Sequence, residues 1–146
     1  MNKRHVPSLK LCQELDRLCK EKGIVVPETE FVWAFVQEHT FTGIHLWKRR
    51  GKDIYHTHEG SIISKPTAKL IPAPLVSEQG ECLPEIIDDD GMDARFVSYK
   101  NNSIWTVMYG LYGMEIETHS VSADNEPNAR QKMINYLLAE GIITTL

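Results

Sequence analysis

The stretch NEPNARQKMINYLLAEGII, residues 125–143, decides the fold that the sequence predicts. Asn125 or Asp124 is suited to cap a helix, Pro127 to occupy its first turn and Gly141 to end it. The apolar residues recur at the spacing of one helical face, namely Ala129, Met133, Ile134, Tyr136, Leu137 and Leu138. Because this face spans about half of the helix circumference, the helix needs a broad apolar surface to pack against.

Three predicted strands directly upstream supply such a surface: residues 94–100, 104–111 and 114–119. Asn101-Asn102 and Tyr112-Gly113 are suited to tight turns, so the strands form a meander. Two-residue turns fix the register and bring mainly apolar side chains onto one face, in the pairs Phe96–Val107, Ser98–Trp105, Tyr109–Ile116 and Leu111–Met114.

The same register directs three polar side chains of the last strand to the opposite face: Glu115, Glu117 and His119. We expect the C-terminal helix to cover the apolar face, which gives an α+β fold with antiparallel sheet. The chain has 146 residues, of which 42% are apolar, and this is the size and composition of a single domain over residues 1–146.

The remaining predicted elements precede the meander. Ser8 and Gly23 bound an N-terminal surface helix, residues 31–36 form a strand that is apolar on both faces, and residues 75–83 form a short helix. A hairpin with strands 44–48 and 53–58 follows the first strand. The irregular segments are a frayed terminus at residues 1–7, a loop at residues 61–69 and a turn at residues 88–91.

Composition argues against several classes of function. The net charge is −4, so the chain as a whole does not attract DNA or anionic membranes. Cys12, Cys19 and Cys82 are odd in number and contain no CxxC pair, so the sequence indicates neither a disulfide framework nor a zinc ribbon. Cys12 and Cys19 fall on the apolar side of the first predicted helix, which indicates buried, reduced thiols. No apolar run has membrane-spanning length and no signal-peptide pattern is present, so we expect a cytoplasmic protein without a membrane partner.

Three histidines form the first candidate site. His56 and His58 alternate along a strand and therefore share a face. A two- or four-residue hairpin loop places His45 opposite His58 or His56, so the three imidazoles are candidate ligands of a catalytic zinc ion. The competing interpretation is three partly exposed histidines on a polar sheet face.

Four cations at the hairpin form the second candidate: Lys48, Arg49, Arg50 and Lys52. Such a cluster can bind phosphate, and Trp47 or Tyr55 beside it can stack on a base. The competing interpretation is a solvated, charged turn. Asp88, Asp89, Asp90 and Asp93 are candidate ligands of a hard cation such as calcium or magnesium, but their spacing is not that of an EF-hand loop. We therefore favour a solvated acidic turn.

The sequence contains no phosphate-binding loop, dinucleotide fingerprint or nucleophile elbow, so we assign no catalytic residue and no cofactor. The wide apolar face of the last helix has two interpretations. Either the helix is enclosed by its own domain, which we favour, or Ile134 and Leu138 form the seam of a homodimer.

Three segments carry a resemblance to a known group of proteins. They are LKLCQELDRLCKEKGIVVPETEFVWAF at residues 9–35, IPAPLVSEQGECLPEII at residues 71–87 and ADNEPNARQKMINYLLAEGII at residues 123–143. In this order they resemble small uncharacterised proteins encoded by bacteriophages and prophages, often of gut bacteria. That group has no assigned activity, so the resemblance implies no catalytic residue. The basic hairpin and the three histidines lie outside the three segments.

Three hypotheses for function follow. The first is a non-enzymatic accessory protein of a phage or prophage that acts through protein–protein contacts, with a protein partner or a second copy. The second is nucleic-acid binding through the basic hairpin. The third is a metal-dependent hydrolase that uses His45, His56 and His58.

Overall fold

The computed structural model describes residues 5–37, 42–57, 59–111 and 116–146, which form three helices and two antiparallel sheets. In chain order the elements are α1 (Leu9–Lys22), β1 (Phe31–Gln37), β2 (Thr42–Gly51), β3 (Ile54–His56), β4 (Ile62–Ser64), β5 (Lys69–Ala73), α2 (Val76–Cys82), β6 (Ile86–Asp89), β7 (Met92–Asn101), β8 (Ile104–Leu111), β9 (Ile116–Ala123) and α3 (Glu126–Ala139). One sheet has the order β4-β3-β2-β1-β5 and the other β6-β7-β8-β9. The predicted α+β class and its three helices are confirmed.

The C-terminal helix α3 forms and packs as the sequence predicts. Asn125 caps it, since its side-chain oxygen accepts the Asn128 amide at 2.9 Å, and Gly141 follows its end with φ +71°. Met133 and Leu137 are 0% exposed and belong to the same apolar cluster as Val107 of β8. Burial of each large apolar side chain contributes roughly 1.5–3 kcal/mol before the conformational entropy cost is subtracted.

The remaining apolar residues of α3 decide between the two interpretations of its wide face. Ile134 is 2% exposed and Leu138 is 0% exposed, and both belong to the cluster that α1 and the four-stranded sheet share. The helix is therefore enclosed by its own chain. The alternative, a homodimer seam made by Ile134 and Leu138, is wrong.

The register between β7 and β8 differs from the prediction by two residues. Phe96 pairs with Tyr109 and Ser98 with Val107, because the turn uses Asn102-Ser103, with Asn102 at φ +55°, instead of Asn101-Asn102. A shift of two keeps every side chain on its predicted face. The apolar face of these two strands is therefore correct although the predicted pairs are not.

The register between β8 and β9 differs by an odd number of residues over most of β9. Tyr109 pairs with His119 instead of Ile116, and Thr118 is an extra residue opposite the junction of Tyr109 and Gly110. A one-residue bulge of this kind inverts the faces on either side of it. His119 therefore lies on the helix-covered face, and its predicted orientation away from that face is wrong.

The four-stranded sheet contains one strand, β6, that the sequence analysis does not predict. β6 pairs with β7 through a hairpin whose turn is Asp90-Gly91, with φ values of +51° and +82°. The Asp88 side chain accepts the Gly91 amide at 2.7 Å and so stabilises this turn. The meander therefore has four strands, and the segment predicted as a turn contains half of β6, namely Asp88 and Asp89.

The other sheet has β1 at its centre, as the two apolar faces of residues 31–36 predict. Trp33 and Leu46 pack on one face, and Trp47 and Tyr55 pack on the other. Residues 61–69, predicted as loop, contain β4 and the first residue of β5.

The two edge strands of this sheet are joined by a short link. β4 and β5 lie at opposite edges, and the chain between them runs only from Ser64 to Lys69. Ile63 of β4 and Leu70 of β5 both pack against the cluster that contains Trp47 and Tyr55, so the two edges share one apolar cluster.

Helix α1 joins the two sheets. Its Leu15 and Leu18 belong to the cluster under the four-stranded sheet, whereas Cys12 belongs to the cluster on one face of the five-stranded sheet. Val6 is 2% exposed, and the Pro7 carbonyl accepts the Trp33 indole N–H at 3.3 Å. The prediction that these two residues are frayed is therefore wrong. A single α+β domain fits this arrangement.

A relay of buried amides connects the three helices. Gln79 of α2 donates to the Pro127 carbonyl at 2.9 Å and to the Gln131 side-chain oxygen at 3.2 Å. Gln131 donates to Asn135 at 2.9 Å, and Asn135 donates to the Leu11 carbonyl of α1 at 3.0 Å. Gln79 and Gln131 are 0% exposed, so these hydrogen bonds fix the helices relative to one another in a water-poor environment.

Candidate functional site

The four predicted cations do not all lie in the hairpin turn. Arg49 and Arg50 belong to strand β2, and the turn that follows is Lys52-Asp53. Lys48 forms an ion pair with Glu30 at 3.0 Å. Arg49 donates from Nε to the Thr29 carbonyl at 3.0 Å, and its guanidinium lies 5.2 Å from the centre of the Tyr55 ring. Two of the four cations are therefore already engaged by neighbouring groups.

The other two cations of the cluster are exposed. The Arg50 guanidinium lies 3.1 Å from Nδ1 of His56, and Lys52 stands at the turn. Both are on the solvent side of the hairpin, where a polyanion has access to them.

The predicted zinc site is not assembled by the described histidines. His56 pairs with Lys48, whereas His45 pairs with Ala34 on the other side of β2. Lys48 and His45 are three residues apart on a regular strand, so His45 and His56 lie on opposite faces of the sheet. The prediction that His45 stands opposite His56 is therefore wrong, and His58 lies outside the described residues. Within the described ranges no three His, Cys, Asp or Glu side chains are grouped closely enough to hold a metal ion.

The three thiols are not activated. Burial raises the pKa of Cys12 to about 12, and burial is also the main cause that raises the pKa of Cys19 and Cys82 above the usual thiol value. A raised pKa keeps a thiol protonated at neutral pH, and the thiolate is the nucleophilic form. Cys12 and Cys19 are buried, as their position on the apolar side of the first helix predicts, whereas Cys82 is partly exposed.

The free edge of the four-stranded sheet is the feature that fits a binding function best. β9 is last in the strand order, so among the described residues one of its two backbone edges has no neighbouring strand. The contacts of Ser122 show which backbone groups face that edge. Its hydroxyl lies 2.9 Å from the hydroxyl of Thr106, its cross-strand partner. Its carbonyl accepts a hydrogen bond from the Lys132 ammonium at 2.8 Å. These contacts identify a non-hydrogen-bonded pair, in which the backbone groups of both residues point away from each other.

The alternation of the strand extends this orientation to a second residue. Ser120 has the same parity as Ser122, so its N–H and C=O also point to the free edge. Both serines are exposed. His119, Val121 and Ala123 direct their backbone groups to β8 and their side chains to the helix-covered face. The regular part of the edge is therefore residues 119–123, which begins after the bulge at Thr118.

A groove runs beside this edge. It has a volume of about 600 Å³ and lies between β9, the N-terminal half of α1 and one side of α3. Val121 and Ala123 form its sheet side, and Leu11 and Tyr136 contribute from the two helices. The Tyr136 hydroxyl, on the helix side of the groove, lies 3.0 Å from Nδ1 of His119.

Residues 119–123 have few features that discourage strand pairing. Natural edge strands are commonly protected by lysine or proline on the strand, by inward-pointing charges or by bulges. This segment contains neither lysine nor proline, and the Lys132 ammonium covers one of its outward carbonyls, that of Ser122. The bulge at Thr118 limits the free edge at one end without interrupting these five residues.

The sequence analysis does not identify this edge because the predicted last strand ends at His119, whereas β9 continues to Ala123. The alternation of polar and apolar residues continues through Ser120, Val121, Ser122 and Ala123, and this signal extends the strand. The bulge at Thr118 has no comparable signal. A prediction that omits this bulge assigns the side chains of residues 119–123 to the wrong faces of the sheet.

No protein-family model, curated protein or solved structure matches the chain. None of the described helices is both long enough and apolar enough to cross a membrane.

Proposed function

We propose that the protein is a non-enzymatic accessory protein, of the phage or prophage type that its sequence resembles, which binds another polypeptide in the cytoplasm. The binding surface is the free edge of β9. The observation that carries this proposal is the orientation of Ser120 and Ser122, whose backbone donors and acceptors face outward from an exposed strand.

An added strand satisfies these groups without a conformational change in the sheet. Two outward residues offer two N–H donors and two C=O acceptors, and each net hydrogen bond contributes roughly 0.5–1.5 kcal/mol. Alternate side chains of the added strand point to the groove beside Val121 and Ala123, which supplies the apolar contact that backbone pairing alone lacks. The Lys132 ammonium leaves the Ser122 carbonyl when the new N–H arrives.

Proline substitutions test the proposal because they remove edge donors selectively. Ser120→Pro with Ser122→Pro deletes two outward N–H groups, whereas no hydrogen bond to β8 depends on them. Ser120→Ala with Ser122→Ala is the matched control, since it removes both hydroxyls and keeps both amides. Tagged full-length protein should retain its binding partner in the alanine variant and lose it in the proline variant.

Circular dichroism and thermal unfolding of both variants accompany the binding assay, so that loss of binding is not confused with loss of the fold. Equal recovery of the same partner by the folded proline variant and by the alanine variant would show that the surface lies elsewhere. Absence of any specific partner for the wild-type protein would remove the basis of the proposal.

Nucleic-acid binding is a second candidate, favoured by the two exposed cations Arg50 and Lys52. If these residues contact phosphate, binding of a fluorescent single-stranded oligonucleotide should weaken with salt, with a logarithmic slope of about −1.4 for two contacts. Arg50→Glu with Lys52→Glu should abolish that binding, and Lys100→Glu, on a distant strand, should not. Binding that is insensitive to salt, or equal in both variants, would reject this candidate.

A further inference from the structure

We infer that the polypeptide which pairs with β9 is a second copy of this chain, related by a twofold axis through Val121. This inference rests on the proposed function, because it assigns an occupant to the same strand edge. The resulting assembly is a dimer with one continuous eight-stranded sheet, whose two central strands are the two copies of β9.

The positions of the outward residues make the edge self-complementary. Antiparallel pairing about Val121 places Ser120 opposite Ser122 of the second copy, and Ser122 opposite Ser120 of the second copy. Both members of each pair point their backbone groups at the interface, which is the requirement for a hydrogen-bonded antiparallel pair. Two such pairs exchange four backbone hydrogen bonds, and a single twofold operation generates all of them.

The side chains on the helix-covered face also fit a twofold arrangement. The two copies of Val121 meet at the axis, and β-branched residues pair favourably across strands. His119 comes opposite Ala123 of the second copy, so no like charges face each other within residues 119–123. The second strand lies along the mouth of the groove, next to Tyr136, which is 36% exposed in the single chain.

The opposite edge of the sheet explains why pairing stops at two copies. β6 has only four residues, Ile86–Asp89, and two of them are the aspartates Asp88 and Asp89. A short acidic strand repels a copy of itself and offers few backbone groups. Pairing of β9 with β9 is closed by its symmetry, so the assembly has no further free edge of the same kind.

The oligomeric state of the full chain tests the inference. Analytical ultracentrifugation over increasing concentration should show a monomer of 16.7 kDa converting to a species of twice that mass. Ser120→Pro with Ser122→Pro should remain monomeric at every concentration, and the alanine pair should dimerise like the wild type. A dimer that persists in the folded proline variant places the interface elsewhere and overturns the inference.

A cysteine at the axis provides a second, independent test. Directly opposite residues of a non-hydrogen-bonded pair have Cα atoms about 4.5 Å apart, which is within the range of a disulfide. Val121→Cys should therefore form a covalent dimer under mild oxidation, whereas wild-type protein and Ser103→Cys, at the exposed turn between β7 and β8, should not. Failure of Val121→Cys to cross-link above the level of the Ser103→Cys control would contradict the twofold axis.

The outcomes separate this inference from the proposed function. A wild-type protein that stays monomeric overturns the second copy as occupant. If that monomer still recovers another protein through β9, and the proline variant does not, the proposed function stands with a different occupant. If neither a dimer nor a β9-dependent partner is found, both fail.

Discussion

Replacing Gln131 with methionine is expected to destabilise the fold by about 1–3 kcal/mol, although methionine is apolar and close to glutamine in volume. Gln131 is 0% exposed and lies at the centre of the amide relay. Its side chain accepts one hydrogen bond from Gln79 at 3.2 Å and donates another to Asn135 at 2.9 Å. The substitution removes both hydrogen bonds without opening a cavity.

The magnitude follows from the groups that remain. Asn135 is 4% exposed and loses the donor to its side-chain oxygen, so a buried acceptor is left unpaired. Gln79 keeps its hydrogen bond to the Pro127 carbonyl, so its amide loses only one acceptor. One orphaned buried group costs about 1–3 kcal/mol, which corresponds to a decrease in Tm of about 2–12 °C for a chain of this length.

Urea unfolding followed by circular dichroism measures this loss as a change in the free energy of unfolding. Gln13→Met is the matched control, because Gln13 is an exposed glutamine on α1 and its replacement should change stability by less than about 0.5 kcal/mol. Adding Asn135→Leu to Gln131→Met removes the orphaned acceptor, so the double variant should lose less than the sum of the two single variants. A Gln131→Met protein as stable as the Gln13→Met control would refute this account of the relay.

The other predictions concern the core and the thiols. Met133→Ala, at a 0% exposed position under the sheet, should lower the free energy of unfolding by about 2–5 kcal/mol, and a loss below that range in urea unfolding would mean that α3 packs loosely. A thiol reagent at pH 8 should modify Cys82, which is partly exposed, well before the buried Cys12 and Cys19, and equal rates by mass spectrometry would contradict their burial. Folding raises the pKa of Cys12 from 9.0 to about 12, so the unfolded chain loses this proton first and stability should fall as pH rises between those values. Cys12→Ala should make that decline shallower, and parallel stability curves for the two proteins would show that Cys12 does not contribute.

Local signals in the sequence are sufficient for the elements that have strong boundaries. The cap at Asn125, the glycine at 141 and the helical spacing between them act within a few residues of one another, and α3 forms where they predict. The same type of signal was available for β6, since Asp90-Gly91 between alternating residues is typical of a hairpin turn. The sequence analysis interprets this signal as a turn at residues 88–91 but does not predict the strand that precedes it.

Register and burial of polar groups depend on contacts that are distant in sequence. One extra residue, Thr118, inverts the faces of β9, and its hydroxyl hydrogen bond to the Tyr109 carbonyl joins residues that are nine positions apart. A shift in the hairpin between Arg49 and Gly51 moves Arg49 and Arg50 into the strand and pairs Lys48 with His56. The sequence places Gln131 within the predicted helix but does not indicate its burial, because only the packed structure brings the helices together around it.

Amide hydrogen exchange of β9, measured by NMR at low and high protein concentration, tests the free edge most directly. In dilute protein the Ser120 and Ser122 amides should exchange rapidly while the Val121 amide, which bonds to β8, is protected. At high concentration both serine amides should become protected as the two copies of β9 pair. Serine amides as protected as Val121 in the dilute monomer, or unprotected at every concentration at which a dimer is present, would contradict the account.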